Sequence, residues 1–143
     1  MKESLFRKWV LASFAKSGMW VERYEPRRGG GTGIPDIQIA VGNRLIPIEL
    51  KVGEVKEDRL YIDEIRPDQI GWHKRISIVK VFSFFLIGMG RPSASAPERA
   101  FAIGLPEIID WKNGIPIRDT AEISVTRFRD GLLTYIHEKA AST

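Results

Sequence analysis

Leu5, Phe6, Trp9, Val10 and Phe14 recur at three- and four-residue spacing, which predicts an amphipathic helix over 3–17 with Gly18 as its stop. Residues 19–24 read as a short extended stretch. The run Pro26-Arg27-Arg28-Gly29-Gly30-Gly31-Thr32-Gly33 reads as a loop, because glycine at that density costs too much backbone entropy for regular structure. Residues 34–41 and 44–52 then read as two strands joined by the two-residue turn Gly42-Asn43. A polar connection over 53–65 contains Leu60-Tyr61-Ile62 as a short strand. Pro67 suits the first turn of a helix running to about residue 79, with Trp72, Ile76 and Val79 on one face. The short, aromatic, nearly non-polar segment 82–89 reads as a buried strand. Beyond it, 91–97 is a loop, 101–105 a strand, 106–112 a short helix stopped by Asn113-Gly114, 123–126 a strand and 128–139 a closing helix. With no internal repeat and no break in composition, the pattern predicts a single α/β domain over 1–143 with a central mixed β-sheet flanked by helices.

Composition narrows the picture only a little. At 143 residues, 43% hydrophobic and 28% charged, the chain is an ordinary globular domain with one core. Lys and Arg total 22 against 18 acids, a net charge of +4 that permits a nucleic-acid partner without demanding one. Cysteine is absent, which excludes disulfides, thiolate-bound zinc and a cysteine nucleophile. The charged start of the chain does not read as a signal peptide, and the most apolar run, 81–89, is far shorter than the ~20 residues of a spanning helix. A soluble, cytoplasmic protein with no membrane partner is expected.

The hairpin carries the chemistry. If Gly42-Asn43 is the turn, Val41 faces Arg44, and counting back places Ile39 opposite Ile46, Ile37 opposite Ile48 and Asp36 opposite Glu49. Directly opposed side chains lie ~4.5–5.5 Å apart at Cβ, and Lys51, two residues beyond Glu49, shares its face. The four isoleucines belong against the core, so a one-residue slip would bury the carboxylates and expose the isoleucines. Two opposed carboxylates repel. Lys51 offsets part of that, and a Mg²⁺ ion offsets more, since it takes oxygen ligands from one or two carboxylates. Such an ion polarises a phosphoryl oxygen and acidifies water, while Lys51 orients the water or stabilises developing charge. The same three residues also fit exposed strand carboxylates with a solubilising lysine beside them.

Gly33-Ile34-Pro35-Asp36 followed by Ile48-Glu49-Leu50-Lys51 resembles the PD…(D/E)-x-K motif of the restriction-endonuclease-like nucleases. Within that superfamily the chain most resembles the virus-type replication-repair nuclease (VRR-NUC) domain, which is similar to archaeal Holliday-junction resolvases. The resemblance covers about 3–90 and is strongest at 33–51 and 66–76, leaving 91–143 as α/β elements without an assigned role. It implies a restriction-endonuclease-like fold and a Mg²⁺-dependent DNA endonuclease, with Mn²⁺ able to substitute. Asp36 and Glu49 would bind the metal, helped by the main-chain carbonyl of Leu50, and Lys51 would serve the water. It also implies branched DNA such as Holliday junctions as substrate, and a homodimer. Flap or end processing, sequence-specific cleavage, or DNA binding without catalysis are the other functions compatible with the pattern.

Secondary candidates surround this core. The family places a glutamine at the start of the helix after the motif, where Gln69 stands, and an acid on its first helix, where Glu3 is the acid available. Glu3 either joins the site or pairs with Arg7 one turn on. His73 follows Gln69 on the same face and either touches a phosphate or is structural. Arg27 and Arg28 beside the glycines, with Lys74 and Arg75, form the expected DNA-contacting surface. Trp20, Trp72 and Trp111 read as core or interface residues. Segment 82–89 and the C-terminal part are the candidate dimer surfaces.

Overall fold

The computed structural model describes residues 1–24 and 33–141. Helix α1 spans Glu3–Lys16. Strands β1 (Val21–Arg23), β2 (Ile37–Val41), β3 (Arg44–Lys56) and β4 (Arg59–Ile62) follow, then helix α2 (Pro67–Ile78). Strands β5 (Phe84–Met89) and β6 (Arg99–Ile103), a 3-10 segment (Glu107–Asn113), β7 (Ile115–Pro116), a second 3-10 turn (Ile117–Asp119), β8 (Ala121–Ile123) and α3 (Phe128–Ala140) complete the chain. The strands run in the order β1-β2-β3-β5-β6-β8, with β4 pairing β3 and β7. Only β3 and β5 pair in parallel among these; every other pairing is antiparallel. The expected α/β architecture, a mixed sheet flanked by helices, is the one observed.

Side-chain alternation divides the core into two layers. Ile37, Ile39, Ile46, Ile48, Leu50, Phe84 and Leu86 face α1 and α3, where Phe6, Val10, Phe14, Phe128, Leu132 and Ile136 meet them. Phe85, Ile87, Phe101 and Ile103 face the other way, onto Leu60, Ile65, Ile108 and Ile115. Both faces of the central strands are therefore covered, which explains why β5 is apolar throughout. That placement also removes 82–89 as a dimer surface, because β5 lies between β3 and β6 and Phe84–Ile87 are at most 1% exposed.

Two expectations shift here. Strand β2 begins at Ile37, leaving Ile34 to Asp36 outside it, and β3 continues four residues past Val52 to pair with β4. Gly53 looked like the end of a strand but is the residue that lets β4 approach: a Cβ there would stand 2.3 Å from the Tyr61 carbonyl oxygen. The expected apolar face of α2 is also corrected. Its buried residues are Gln69 and His73, whereas Val79 is 68% exposed beyond the helix end. Trp20 is 49% exposed at the start of the edge strand, so it is not a core residue. The remaining expected elements lie within a few residues of their observed bounds, and the strand β7 was not anticipated.

Candidate active site

The hairpin register is the one counted from the turn: Val41 pairs with Arg44, Ile39 with Ile46 and Ile37 with Ile48, with Gly42 at φ +62 in the turn. Pairing stops there. Asp36 does not continue the ladder; instead its Oδ2 accepts the Leu50 N–H at 2.9 Å. On the far side of the site the Asp63 N–H donates to the Val52 carbonyl, after which β4 takes over. The edge of β3 is thus served in turn by a strand, a carboxylate, a single peptide group and another strand. Because a strand residue's N–H and C=O point to the same edge, the Leu50 carbonyl faces this same gap beside Asp36.

Glu49 and Lys51 project to the α2 side, in register with Phe85 and Ile87 of β5. The face expected to be open is covered here. Helix α2 covers Glu49, leaving it 3% exposed, and Lys51 is 8% exposed. Gln69 explains how a helix can pack over a carboxylate. Its Nε2 donates to Glu49 Oε1 at 2.9 Å, and its Oε1 accepts the N–H of Arg66, the residue preceding α2. One amide thus ties the helix start to the site.

The other carboxylate oxygen, Glu49 Oε2, is buried with no hydrogen-bond partner among the described residues. Burial, reinforced by the neighbouring Asp36 carboxylate and opposed by Lys51, pushes the Glu49 carboxyl far above the usual carboxylate range. An orphaned buried oxygen beside a second carboxylate is the arrangement a hard cation would relieve. Among the described residues no three His, Asp or Glu side chains are arranged so that all could hold one metal ion. Two carboxylates and a main-chain carbonyl match the sparse protein ligation of Mg²⁺, which keeps several waters. The donors present fit such an ion, and Asp36, Glu49 and the Leu50 carbonyl are the groups that would hold it.

Helix α1 brings Glu3 to the same place. Its carboxylate is 3.8 Å from Lys51 Nζ and 3.6 Å from Arg7 Nη2, so both alternatives read from the sequence are present together. Its carboxyl is raised mainly by burial, with Lys51 opposing. Arg7, expected only as a partner of Glu3, also donates to Asp36 Oδ1 at 3.1 Å. Its position one turn after Glu3 was the available signal, since both then share a helix face.

His73 does not reach a surface. It is 1% exposed, lies tilted against Phe85 with ring centroids 4.5 Å apart, and its Nδ1 is hydrogen-bonded to Ser83 Oγ. Burial lowers its pKa to about 4, which keeps the ring neutral. His73 is therefore withdrawn from the DNA-contacting set. Lys74 and Arg75 lie on the exposed side of α2, while Arg27 and Arg28 fall outside the described residues.

No described helix is long and apolar enough to cross a membrane. No family model and no curated protein matches this chain. Among solved structures it is similar to Archaeoglobus fulgidus Hjc, a Holliday junction resolvase from an archaeal hyperthermophile. The two are 21% identical over 80% of this chain and 95% of that one, with a TM-score of 0.44.

Proposed function

We propose that this chain is a divalent-metal-dependent DNA endonuclease of the restriction-endonuclease-like kind, hydrolysing phosphodiester bonds. The observation that carries this reading is the convergence of Asp36 and Glu49, one oxygen of Glu49 buried without a partner among the described residues, with Lys51 on the adjoining position of the same strand face. When bound, Mg²⁺ or Mn²⁺ supplies the charge that polarises a phosphoryl oxygen and acidifies water. The chain's own residues do the rest. Gln69 holds one oxygen of Glu49, and the Leu50 N–H holds one oxygen of Asp36, so both carboxylates are oriented before substrate arrives. Lys51, its side chain 10% exposed, offers an ammonium to the attacking water and to charge developing on the phosphate. Water adds to phosphorus, the bond to one sugar oxygen breaks, and that oxygen leaves with a proton.

The sequence resemblance supports branched DNA as the substrate and a homodimer as the working form. Lys74 and Arg75 on the exposed side of α2, with Arg27 and Arg28, are the proposed backbone contacts. The test is cleavage of a four-way junction, a flap and a plain duplex with Mg²⁺ or Mn²⁺. Symmetric cuts in the junction alone are expected. Asp36→Ala and Lys51→Ala should each lose at least about a thousandfold in rate while keeping a cooperative melt. Failure of the wild-type protein to cut any of the three DNAs with either metal would overturn the reading.

A further inference from the structure

The two candidate metal ligands are held differently. Glu49 is buried and accepts a hydrogen bond from an uncharged amide, that of Gln69. Asp36 is neutralised by a cation. Arg7 Nη2 stands 3.1 Å from Asp36 Oδ1 and 3.6 Å from Glu3 Oε2, and Lys51 Nζ stands 3.8 Å from the other oxygen of Glu3. Charges alternate along this chain of contacts: Asp36, Arg7, Glu3, Lys51. A site fitted for a dication thus already carries a monocation on one of its ligands.

We propose that Arg7 is a stand-in cation, occupying Asp36 in the metal-free site and giving it up to the divalent ion, after which its guanidinium serves a phosphate of the DNA. This rests on the metal-nuclease reading above. Three features support the exchange. The Arg7–Asp36 contact runs through one nitrogen, not the paired fork that makes arginine–carboxylate bonds strong. A dication held by Asp36 repels a guanidinium at that distance, which supplies the force for release. The Arg7 side chain is 28% exposed, so it has a way out, and its planar fork suits a phosphate.

Removing Arg7 should not disorganise Asp36, because the Leu50 N–H still holds the other carboxylate oxygen. What is lost is competing charge. The metal and the DNA phosphate are thereby linked: each removes a cost the other would otherwise meet, so each tightens the binding of the other.

The test is titration of the metal-free protein with Mn²⁺ by calorimetry, for wild type, Arg7→Gln, Arg7→Lys and Asp36→Asn. Arg7→Gln should bind Mn²⁺ about tenfold more tightly than wild type, and Arg7→Lys about two- to threefold more tightly. Uncut junction DNA in Ca²⁺ provides a second measurement. There Arg7→Gln should lower the slope of log affinity against log salt by about one phosphate contact. Equal or weaker Mn²⁺ binding in both Arg7 variants would overturn the stand-in role alone. Wild-type protein that binds no Mn²⁺, or binds it as well as Asp36→Asn does, would overturn the metal site itself.

Discussion

Glu49→Gln is expected to abolish cleavage and, in the metal-free protein, to raise stability. Both effects come from the same oxygen. Glu49 is 3% exposed, and its Oε2 has no partner among the described residues while Asp36 lies beside it. A glutamine of the same shape keeps the bond from Gln69 through its carbonyl oxygen and offers N–H groups towards Asp36. It removes the charge that a metal needs, so a rate loss of at least about a thousandfold follows. In the folded protein the Glu49 carboxyl holds its proton more tightly than in the unfolded chain, where its pKa is about 4.3. The unfolded state therefore releases that proton first as pH rises, and the contribution of Glu49 to wild-type stability falls from about pH 4 upwards. Glutamine has no proton to release. The gain should be about 2 kcal/mol at pH 8, roughly 4–8 °C in Tm, and should shrink towards pH 4. Melts of both proteins in chelator at pH 5 and pH 8 read the difference directly. A variant that melts below wild type at pH 8 would contradict this account of the site.

The second large effect is on folding. Gly88 lies in β5 against α1, and a Cβ there would stand 2.4–2.7 Å from three ring atoms of Phe6. Phe6 is itself fully buried and stacked near Trp9, with centroids 6.3 Å apart, so it has little room to yield. Gly88→Val should destabilise by about 3 kcal/mol or more, and Gly88→Ala by less. The position also governs function, because Phe6 shares α1 with Glu3 and Arg7. A helix pushed off the sheet carries both away from Asp36 and Lys51. Adding Phe6→Ala to Gly88→Val should recover part of the loss, a coupling that a denaturation cycle measures. A Gly88→Val protein with the wild-type midpoint would show that α1 does not depend on this close approach.

How much of this was legible in the sequence follows from which interactions are local. The hairpin register was legible because a two-residue turn and four β-branched residues on one face leave little alternative. From it came the neighbourhood of Asp36, Glu49 and Lys51. The bonding of Asp36 to a peptide N–H was not legible, since it depends on where β2 stops. The burial of Glu49 was not legible either: it is imposed by α2, whose buried stripe is Gln69 and His73 and carries no apolar signature. The period rule looked to Trp72, Ile76 and Val79 for that stripe and found the wrong face. Arg7 was missed because its partner Asp36 is 29 positions away, across a boundary between elements.

The Leu50 peptide group has a consequence of its own. Its hydrogen lies in the middle of a covered strand yet ends on a carboxylate, where its neighbours end on other peptides. In a nitrogen-15 spectrum that single resonance becomes a local reporter of whatever happens to Asp36. Loss of the guanidinium, arrival of an ion or protonation of the acid would each move it. One amide signal would thus follow the loading of the site in a protein enriched uniformly with nitrogen-15, with no added probe and no turnover.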